Sequence, residues 1–296
     1  MTLAAAAVAA PSLALGDTPQ GRIETLGRVG TGDHPEPRVR IWLPPGYESS
    51  ERSYRTIYML DGQFVFASDS DGENFATDRR IARLSTAGKI QPTLIVAIDN
   101  LEGDRFLQYM PQTIYNQSDR GLRAALDREL ARHAGRPLVS AQFIQYLTTQ
   151  LKPFIDAQYR TSPGRLDTAI FGASMAGVMA GAIFVEAQQA FGRAACMSPN
   201  WPLYDERFTE HSQLLSIWPA YFAQLGAPVG RRLWLDHGTQ MMDAGMAPHQ
   251  IMISRRLTEL GWRPGCDLET RVYQGAGHAF AQTALQMDEL LAWLLA

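Results

Sequence analysis

The sequence of 296 residues is 46% hydrophobic and 19% charged, a balance that is typical of globular proteins and excludes a disordered or fibrous chain. With a formal net charge of −3 and scattered Lys and Arg residues, it offers no basic stripe, so we predict no nucleic-acid partner. Cys196 and Cys266 form no C-x-x-C motif, and the six histidines form no H-E-x-x-H motif. We therefore predict no metal, no cofactor and two buried thiols.

Residues 1–16, MTLAAAAVAAPSLALG, are almost entirely apolar and end abruptly before Asp17. Although a basic n-region is missing, we interpret them as a signal peptide, which predicts a periplasmic or secreted protein. The alternative is a disordered tail on a cytoplasmic protein. Because a membrane span takes about 20 apolar residues, we predict no stable membrane insertion. No linker divides residues 17–296, which we predict to be a single α/β domain.

Eight short apolar runs predict β-strands. The first two, at 22–29 and 38–45, alternate and are separated by a turn sequence, which predicts an antiparallel opening. The others are nearly continuous, as in buried parallel strands, and cover 55–62, 93–100, 168–174, 193–199, 231–238 and 268–275. Helices are predicted at 76–87, 140–157, 175–190, 243–260 and 279–295. The pattern indicates a mostly parallel central sheet flanked by helices, with functional groups at the carboxyl ends of the strands.

Two stretches exceed this minimal plan. Residues 101–137 are polar and contain the helical run RGLRAALDRELARHA, and residues 200–228 are rich in aromatic side chains. Since both follow strand ends, we expect them to form a partial cap around a substrate pocket; the alternative is surface excursions without a binding role. The aromatic residues of the second stretch are Trp201, Tyr204, Trp218 and Tyr221.

The segment GASMAG, at residues 172–177, lies between a predicted strand and a predicted helix. It is a G-x-S-x-A-G version of the nucleophile elbow, in which small residues allow a sharp turn that exposes the serine. We therefore predict that Ser174 is a nucleophile. The N–H of Met175, at the start of the helix, is predicted to stabilise an oxyanion.

A nucleophilic serine needs a base, and histidine is the usual one. Four histidines follow Ser174. His211 lies in the aromatic stretch, His237 ends a strand, and His249 lies in a helix, where we expect a solvated position. His278 follows the last strand on a glycine-rich loop, so we predict that it is the base.

The acid of such a site should follow the strand that ends at 238. Asp243 is our choice, because its loop can turn back toward His278. Asp236 remains an alternative, since strand alternation could instead point it inward as a hydrogen-bonding brace. The acid would orient the imidazole and stabilise the imidazolium.

Several motifs together resemble the putative-esterase family of α/β hydrolases, which includes enterochelin esterases, S-formylglutathione hydrolases, feruloyl esterases and mycolyltransferases. They occur in the family's order over residues 38–295: RVRIWLPPGY, YMLDGQFVF, KIQPTLIVAIDN, FIDAQYRT, GASMAG, SPNW, LDHGTQMMD and GAGHAF. The resemblance implies an α/β-hydrolase fold, with Ser174, Asp243 and His278 as the catalytic residues. It also implies a second oxyanion donor, the N–H of Gln63.

We expect four further residues to contact the substrate: Asp61, Asn100, Arg105 and Trp201. Gln108 and Gln240 stand where enterochelin-esterase-like relatives tend to have glutamate, which affects the predicted substrate more than the chemistry. The function predicted is hydrolysis of a small, siderophore-type or aromatic ester by a serine esterase. The alternatives are an acyltransferase that uses a sugar or alcohol acceptor, and an inactive hydrolase-fold binding protein.

Overall fold

The structure is a computed structural model that describes residues 21–27, 29–30, 37–69, 73–203 and 213–296. The predicted signal peptide at 1–16 and the predicted cap residue Tyr204 lie outside the described residues. Within the described part, no helix is both long and apolar enough to cross a membrane. The same residues contain no cluster of three His, Cys, Asp or Glu side chains that could hold a metal ion.

The described strands form one eight-stranded sheet in the order β1-β2-β4-β3-β5-β6-β7-β8. β2 is antiparallel to both β1 and β4, and the remaining neighbours are parallel, so the predicted antiparallel opening and parallel centre are confirmed. The strands are β1 (Arg22–Thr25), β2 (Val39–Leu43), β3 (Arg55–Leu60), β4 (Thr93–Ile98), β5 (Thr168–Ala173), β6 (Arg193–Met197), β7 (Arg232–Gly238) and β8 (Leu268–Tyr273).

Helices cover both faces of the sheet. They are α1 (Thr77–Thr86), α2 (Arg105–Tyr109), α3 (Gln112–Gln117), α4 (Arg120–Ala131), α5 (Ser140–Tyr146), α6 (Lys152–Gln158), α7 (Met175–Glu186), α8 (Leu214–Phe222), α9 (Ala247–Glu259), α10 (Phe280–Ala284) and α11 (Met287–Leu295). A π-helical turn, Leu147–Leu151, joins α5 to α6. This mostly parallel sheet with flanking helices is the α/β-hydrolase architecture, as predicted.

The continuous apolar runs arise because the central strands are covered on both faces. Along β3, Ile57 and Met59 point into one core, while Tyr58 and Leu60 point into the other. Every residue of β4 is buried, as expected for a strand between two helical layers. This packing holds the carboxyl ends of the parallel strands along one edge of the sheet.

Several local predictions were wrong. Cys196 is buried as expected, but Cys266 is exposed, in the turn that leads into β8. His249 is buried beneath α8 rather than solvated, and its burial lowers its pKa to about 4. The predicted final helix is divided near residue 285 into α10 and α11. Hydrophobic spacing identifies a helical stretch. The burial of each face of that helix, however, depends on neighbours that are distant in sequence.

Candidate active site

A cavity of about 160 Å³ opens at the carboxyl ends of the central strands. Ser174 and His278 line it together with Ser198, which follows β6. Asp61 and Arg105 form another part of the wall. The parallel strands therefore deliver residues from distant parts of the chain to one edge, as the sheet topology requires.

Ser174 occupies the sharp turn between β5 and α7. Its φ of 59° and ψ of −125° are unusual for a residue with a side chain, and its N–H donates to the carbonyl of Met197 at 3.0 Å. A Cβ atom on Gly172 would lie 2.0 Å from the carbonyl oxygen of Ala176, which leaves space only for glycine. The small residues of the motif therefore permit the chain to turn back on itself.

Three side chains form a hydrogen-bonded row beside the cavity. His278 Nε2 lies 2.8 Å from Ser174 Oγ, and His278 Nδ1 lies 2.6 Å from Asp243 Oδ1. The other oxygen of Asp243 accepts hydrogen bonds from Ser198 Oγ at 2.9 Å and from the Gly238 N–H at 2.8 Å. The structure thus brings the predicted nucleophile, base and acid together.

Asp243 is almost fully enclosed, and only 1% of its surface is exposed. Burial acts to raise the pKa of its carboxyl, but the hydrogen bonds from His278, Gly238 and Ser198 outweigh burial, so the pKa is lowered. An ionised carboxylate on Nδ1 fixes the imidazole tautomer that leaves Nε2 free to accept the serine proton.

Asp236, the alternative acid, lies behind this row. Its Oδ1 accepts the N–H of Ser198 at 2.8 Å, and its Oδ2 accepts Trp234 Nε1–H at 2.6 Å. Burial raises its pKa to about 7, an effect that nearby Asp243 reinforces. Asp236 is the inward-pointing brace that strand alternation allowed, whereas His278 bonds to Asp243.

A second turn beside the cavity follows β3. Asp61 adopts a left-handed conformation with φ of 55°, and a 3₁₀ turn, Gly62–Phe64, begins directly after it. Because the first N–H groups of a helical turn have no partner within it, the amides of Gln63 and of Met175 at the start of α7 are available as donors. Neither Gln63 nor Met175 is among the residues that line the cavity.

Three side chains hold the Asp61 turn. Arg105 of α2 makes two parallel hydrogen bonds to the Asp61 carboxylate, from Nε at 2.9 Å and from Nη2 at 2.6 Å. Asn100 donates from Nδ2 to the same carboxylate at 2.6 Å, and the Asp61 N–H donates to Tyr109 Oη at 3.1 Å. Asp61 and Arg105 therefore line the cavity as an ion pair, and Asn100 acts through Asp61 instead of lining the cavity itself.

Two residues that the sequence analysis did not predict form further hydrogen bonds around the cavity. Arg40, from β2, is buried and donates from Nη2 to the carbonyl of Gly62 at 2.7 Å. Ser198, directly after β6, donates from Oγ to Asp243. An arginine inside an apolar strand was the available signal for Arg40, while Ser198 carried none.

The structure corrects the prediction that Trp201 contacts the substrate. Its side chain is fully buried, and it packs on Trp218 and Phe222 at ring-centroid distances of 5.0 and 5.7 Å. Tyr221 is likewise buried. The described aromatic residues of 200–228 thus belong to the same hydrophobic core as the residues of α7, and they do not line the cavity.

Aromatic side chains do line the cavity, but they come from other segments. Phe64 follows the Asp61 turn, Phe75 precedes α1, and Phe280 lies two residues beyond His278. Phe75 and Phe280 lie 4.6 Å apart between ring centroids, and Phe64 and Phe280 lie 5.9 Å apart. These three rings form an apolar wall beside Ser174.

The family that these features suggest is confirmed by comparison with known families. Residues 34–244, more than half of the chain, match the family model described as "Putative esterase". The chain therefore belongs to this esterase family, which places it among the hydrolases. No curated protein sequence gives a significant match.

Solved structures with the same fold include three esterases or serine hydrolases. A ferulic acid esterase from Anaeromyces mucronatus is 16% identical, with a TM-score of 0.60, and the match covers 97% of this chain and 95% of that one. An IroE-like serine hydrolase from Shewanella oneidensis is 15% identical, with a TM-score of 0.60 and coverage of 92% and 80%. The enterobactin esterase of Shigella flexneri is 17% identical, with a TM-score of 0.65 and coverage of 96% and 62%. At these identities the similarity establishes the fold.

Proposed function

We propose that this protein is a serine carboxylic-ester hydrolase that works through an acyl-enzyme on Ser174. The observation that carries the proposal is the continuous row from Ser174 Oγ through His278 to Asp243, with distances of 2.8 and 2.6 Å, at the edge of a cavity. A serine hydroxyl becomes an effective nucleophile at neutral pH when such a base lies within hydrogen-bond reach.

In the acylation step, Ser174 Oγ attacks the ester carbonyl carbon while His278 Nε2 takes the hydroxyl proton. The carbonyl π electrons move onto oxygen, giving a tetrahedral oxyanion. Collapse of this species breaks the bond to the alcohol oxygen, which leaves with the proton held by His278. Asp243 remains a carboxylate throughout, consistent with its lowered pKa, and stabilises the imidazolium.

The oxyanion is stabilised by the N–H groups of Met175 and Gln63. Met175 begins α7, so the positive end of the helix dipole supports the negative charge there. Gln63 follows the strained Asp61 position in a turn that is held by charged and polar side chains. Loss of one such donor typically costs about 100-fold or more in turnover.

Deacylation repeats the same chemistry with water. His278 takes a proton from water as its oxygen attacks the acyl carbonyl, and a second tetrahedral intermediate forms. Its collapse releases the carboxylic acid and returns the proton to Ser174 Oγ. The cycle needs only the protein's own residues and water.

For the substrate, we propose a small ester with an aromatic acyl group. Phe64, Phe75 and Phe280 offer a wall on which a flat ring can pack within reach of Ser174. Similarity to a structure named as a ferulic acid esterase agrees with an aromatic acyl group. The support comes from these phenylalanines and not from the buried aromatic residues of 200–228.

The test is a panel of p-nitrophenyl esters, from acetyl to octanoyl and with aromatic acyl groups, assayed on the wild type and on Ser174→Ala. Ser49→Ala is the matched control. Ser49 is exposed and follows β2. Because β2 is antiparallel to β4, Ser49 lies at the opposite end of the strands from Ser174.

We expect a burst of p-nitrophenol and steady turnover in the wild type and in Ser49→Ala, and neither in Ser174→Ala. Equal rates in Ser174→Ala and the wild type would refute the serine mechanism. A higher kcat/KM for short alkyl esters than for every aromatic ester would refute the proposed acyl group while leaving the mechanism intact. Adding an acceptor alcohol and analysing the products separates hydrolysis from acyl transfer, because both pass through the same acyl-enzyme.

A further inference from the structure

One turn of the chain, Met197–Asn200, touches both ends of the row described above. On one side, the Ser174 N–H donates to the Met197 carbonyl at 3.0 Å, and the Asn200 N–H donates to the Ser174 carbonyl at 3.2 Å. On the other side, Ser198 Oγ donates to Asp243 Oδ2 at 2.9 Å. The distance between nucleophile and acid therefore depends on the conformation of this turn.

Ser198 is held in an unusual conformation inside it. Its φ is 39°, in the left-handed region that residues with side chains rarely adopt, and only 1% of its surface is exposed. Such a conformation persists where surrounding contacts impose it. Here the Ser198 N–H is anchored on Asp236 Oδ1 at 2.8 Å, and Asp236 is itself fixed by Trp234 Nε1–H on its other oxygen.

The hydroxyl of Ser198 has a geometric effect on Asp243. With the Gly238 N–H alone on Oδ2, the carboxylate could still rotate about its Cβ–Cγ bond. A second donor on the same oxygen, from a different strand, fixes the plane of the carboxylate and hence the direction in which Oδ1 meets His278. The two donors come from the ends of β6 and β7, which are hydrogen-bonded neighbours in the sheet.

We infer that Ser198 is a positioning residue that sets the orientation of the Asp243 carboxylate toward His278, with Asp236 as the anchor of its backbone. The inference rests on the proposed serine-hydrolase function. It assigns no contact with the substrate to Ser198 and no proton transfer to Asp236. A series of hydrogen bonds thus connects Trp234 through Asp236, Ser198 and Asp243 to the base.

Two substitutions distinguish the effect of the hydroxyl group from the effect of the backbone conformation. Ser198→Ala and Ser198→Gly both remove the donor, but glycine adopts the left-handed conformation without strain, so Ser198→Gly keeps the turn. Ser216→Ala is the control, because Ser216 is an exposed serine of α8 whose hydroxyl donates to the nearby Gln213 carbonyl. The measurements are kcat and KM with a p-nitrophenyl ester, and the downfield proton resonance of His278 Nδ1–H, which reports its hydrogen bond to Asp243.

We expect both Ser198 variants to lose about 10- to 100-fold in kcat with KM changed less than about threefold, as for a small misplacement of a catalytic group. The Nδ1–H resonance should shift or broaden in both, whereas Ser216→Ala should match the wild type in every measurement. An unchanged kcat and resonance in Ser198→Gly would overturn the inference, and so would a loss confined to Ser198→Ala, because that result would indicate backbone strain alone.

Labelling with a fluorophosphonate separates this inference from the proposed function. If the wild type reacts at Ser174, the serine mechanism stands, and an unchanged Ser198→Gly then overturns only the role of Ser198. If the wild type does not react at Ser174, the proposed function itself fails. Reaction at Ser174 in the Ser198 variants, at a reduced rate, is the result that supports both.

Discussion

Two turns beside the cavity, each containing a residue with positive φ, are stabilised by different physical means. Ser174 follows β5 and Asp61 follows β3, and both adopt a positive φ immediately before a helical turn whose first amides are unpaired. The Ser174 turn is held by close packing of small residues such as Gly172, whereas the Asp61 turn is held by an ion pair with Arg105 and by polar side chains. The first should be sensitive to added volume, and the second to lost charge.

The largest effect is expected from Gly172→Ala, which tests the packed turn. Its Cβ would lie 2.0 Å from the carbonyl oxygen and 2.3 Å from the carbonyl carbon of Ala176, so backbone must move. We expect a loss of more than ~3 kcal/mol in the free energy of unfolding, or no soluble protein. Thermal and urea unfolding measure it.

Gly164→Ala is the matched control, because a Cβ there meets nothing within 4 Å and Gly164 has an ordinary φ of −64°. We expect no loss of stability in this control. If Gly172→Ala were as stable and active as Gly164→Ala, the packed-turn explanation would be wrong.

Arg105→Ala tests the charged turn. It removes the arginine hydrogen bonds from the carboxylate of Asp61, which is only 9% exposed, and leaves the bond from Asn100. Because Arg105 is itself 35% exposed, we expect a moderate loss of ~1–3 kcal/mol in stability. A fall of about 10- to 100-fold in kcat should accompany it, since a displaced turn misplaces the Gln63 amide.

Arg136→Ala is the comparison for Arg105→Ala. Arg136 pairs with Asp104 beside α2, is 51% exposed, and lies outside the cavity wall. Its kcat should remain that of the wild type. A normal kcat in Arg105→Ala would show that the Asp61 turn keeps its shape without the ion pair.

An effect of a different kind, a dependence of stability on pH, is expected from Asp236→Asn. Asp236 is fully buried, and burial raises its pKa to about 7 in the folded protein from ~3.9 in an unfolded chain. Between these values the folded state binds the extra proton, so its contribution to stability is present at low pH and is lost as the pH rises toward 7. Wild type should therefore lose stability relative to Asp236→Asn by at most ~1.4 kcal/mol per pH unit across this window.

Urea unfolding of both proteins at several pH values from 4.5 to 7.5 measures this difference. A constant offset between the two proteins is expected from the changed hydrogen bond to Trp234, and only the slope tests the prediction. Parallel stability curves would contradict it.

The smallest effect is expected from Arg256→Ala. Arg256 and Glu259 form an ion pair at 3.0 Å on α9, but their side chains are 44% and 49% exposed. Exposed pairs are screened by solvent, so we expect a change below ~0.5 kcal/mol and no change in kcat. If Arg256→Ala lost as much stability as Arg105→Ala, the burial of the Asp61 ion pair would not explain why its charges matter to that turn.

The sequence by itself determined the strands, the position of the proposed nucleophile and the family. Apolar runs mark strands that are covered on both faces, and the small residues around Ser174 are a local requirement of the elbow, so both signals lie within a few consecutive residues. For the same reason His278 could be chosen from its glycine-rich loop directly after the last strand.

Only the tertiary structure decided the surroundings of those residues. Whether Asp243 or Asp236 faces His278 depends on how the loop after β7 folds back, and whether Trp201 lines a cavity or a core depends on helices elsewhere in the chain. Ser198 and Arg40 act through partners 45 and 22 residues away. Contacts of this kind leave no periodic pattern in the sequence, because they are set by which strands are neighbours in the sheet.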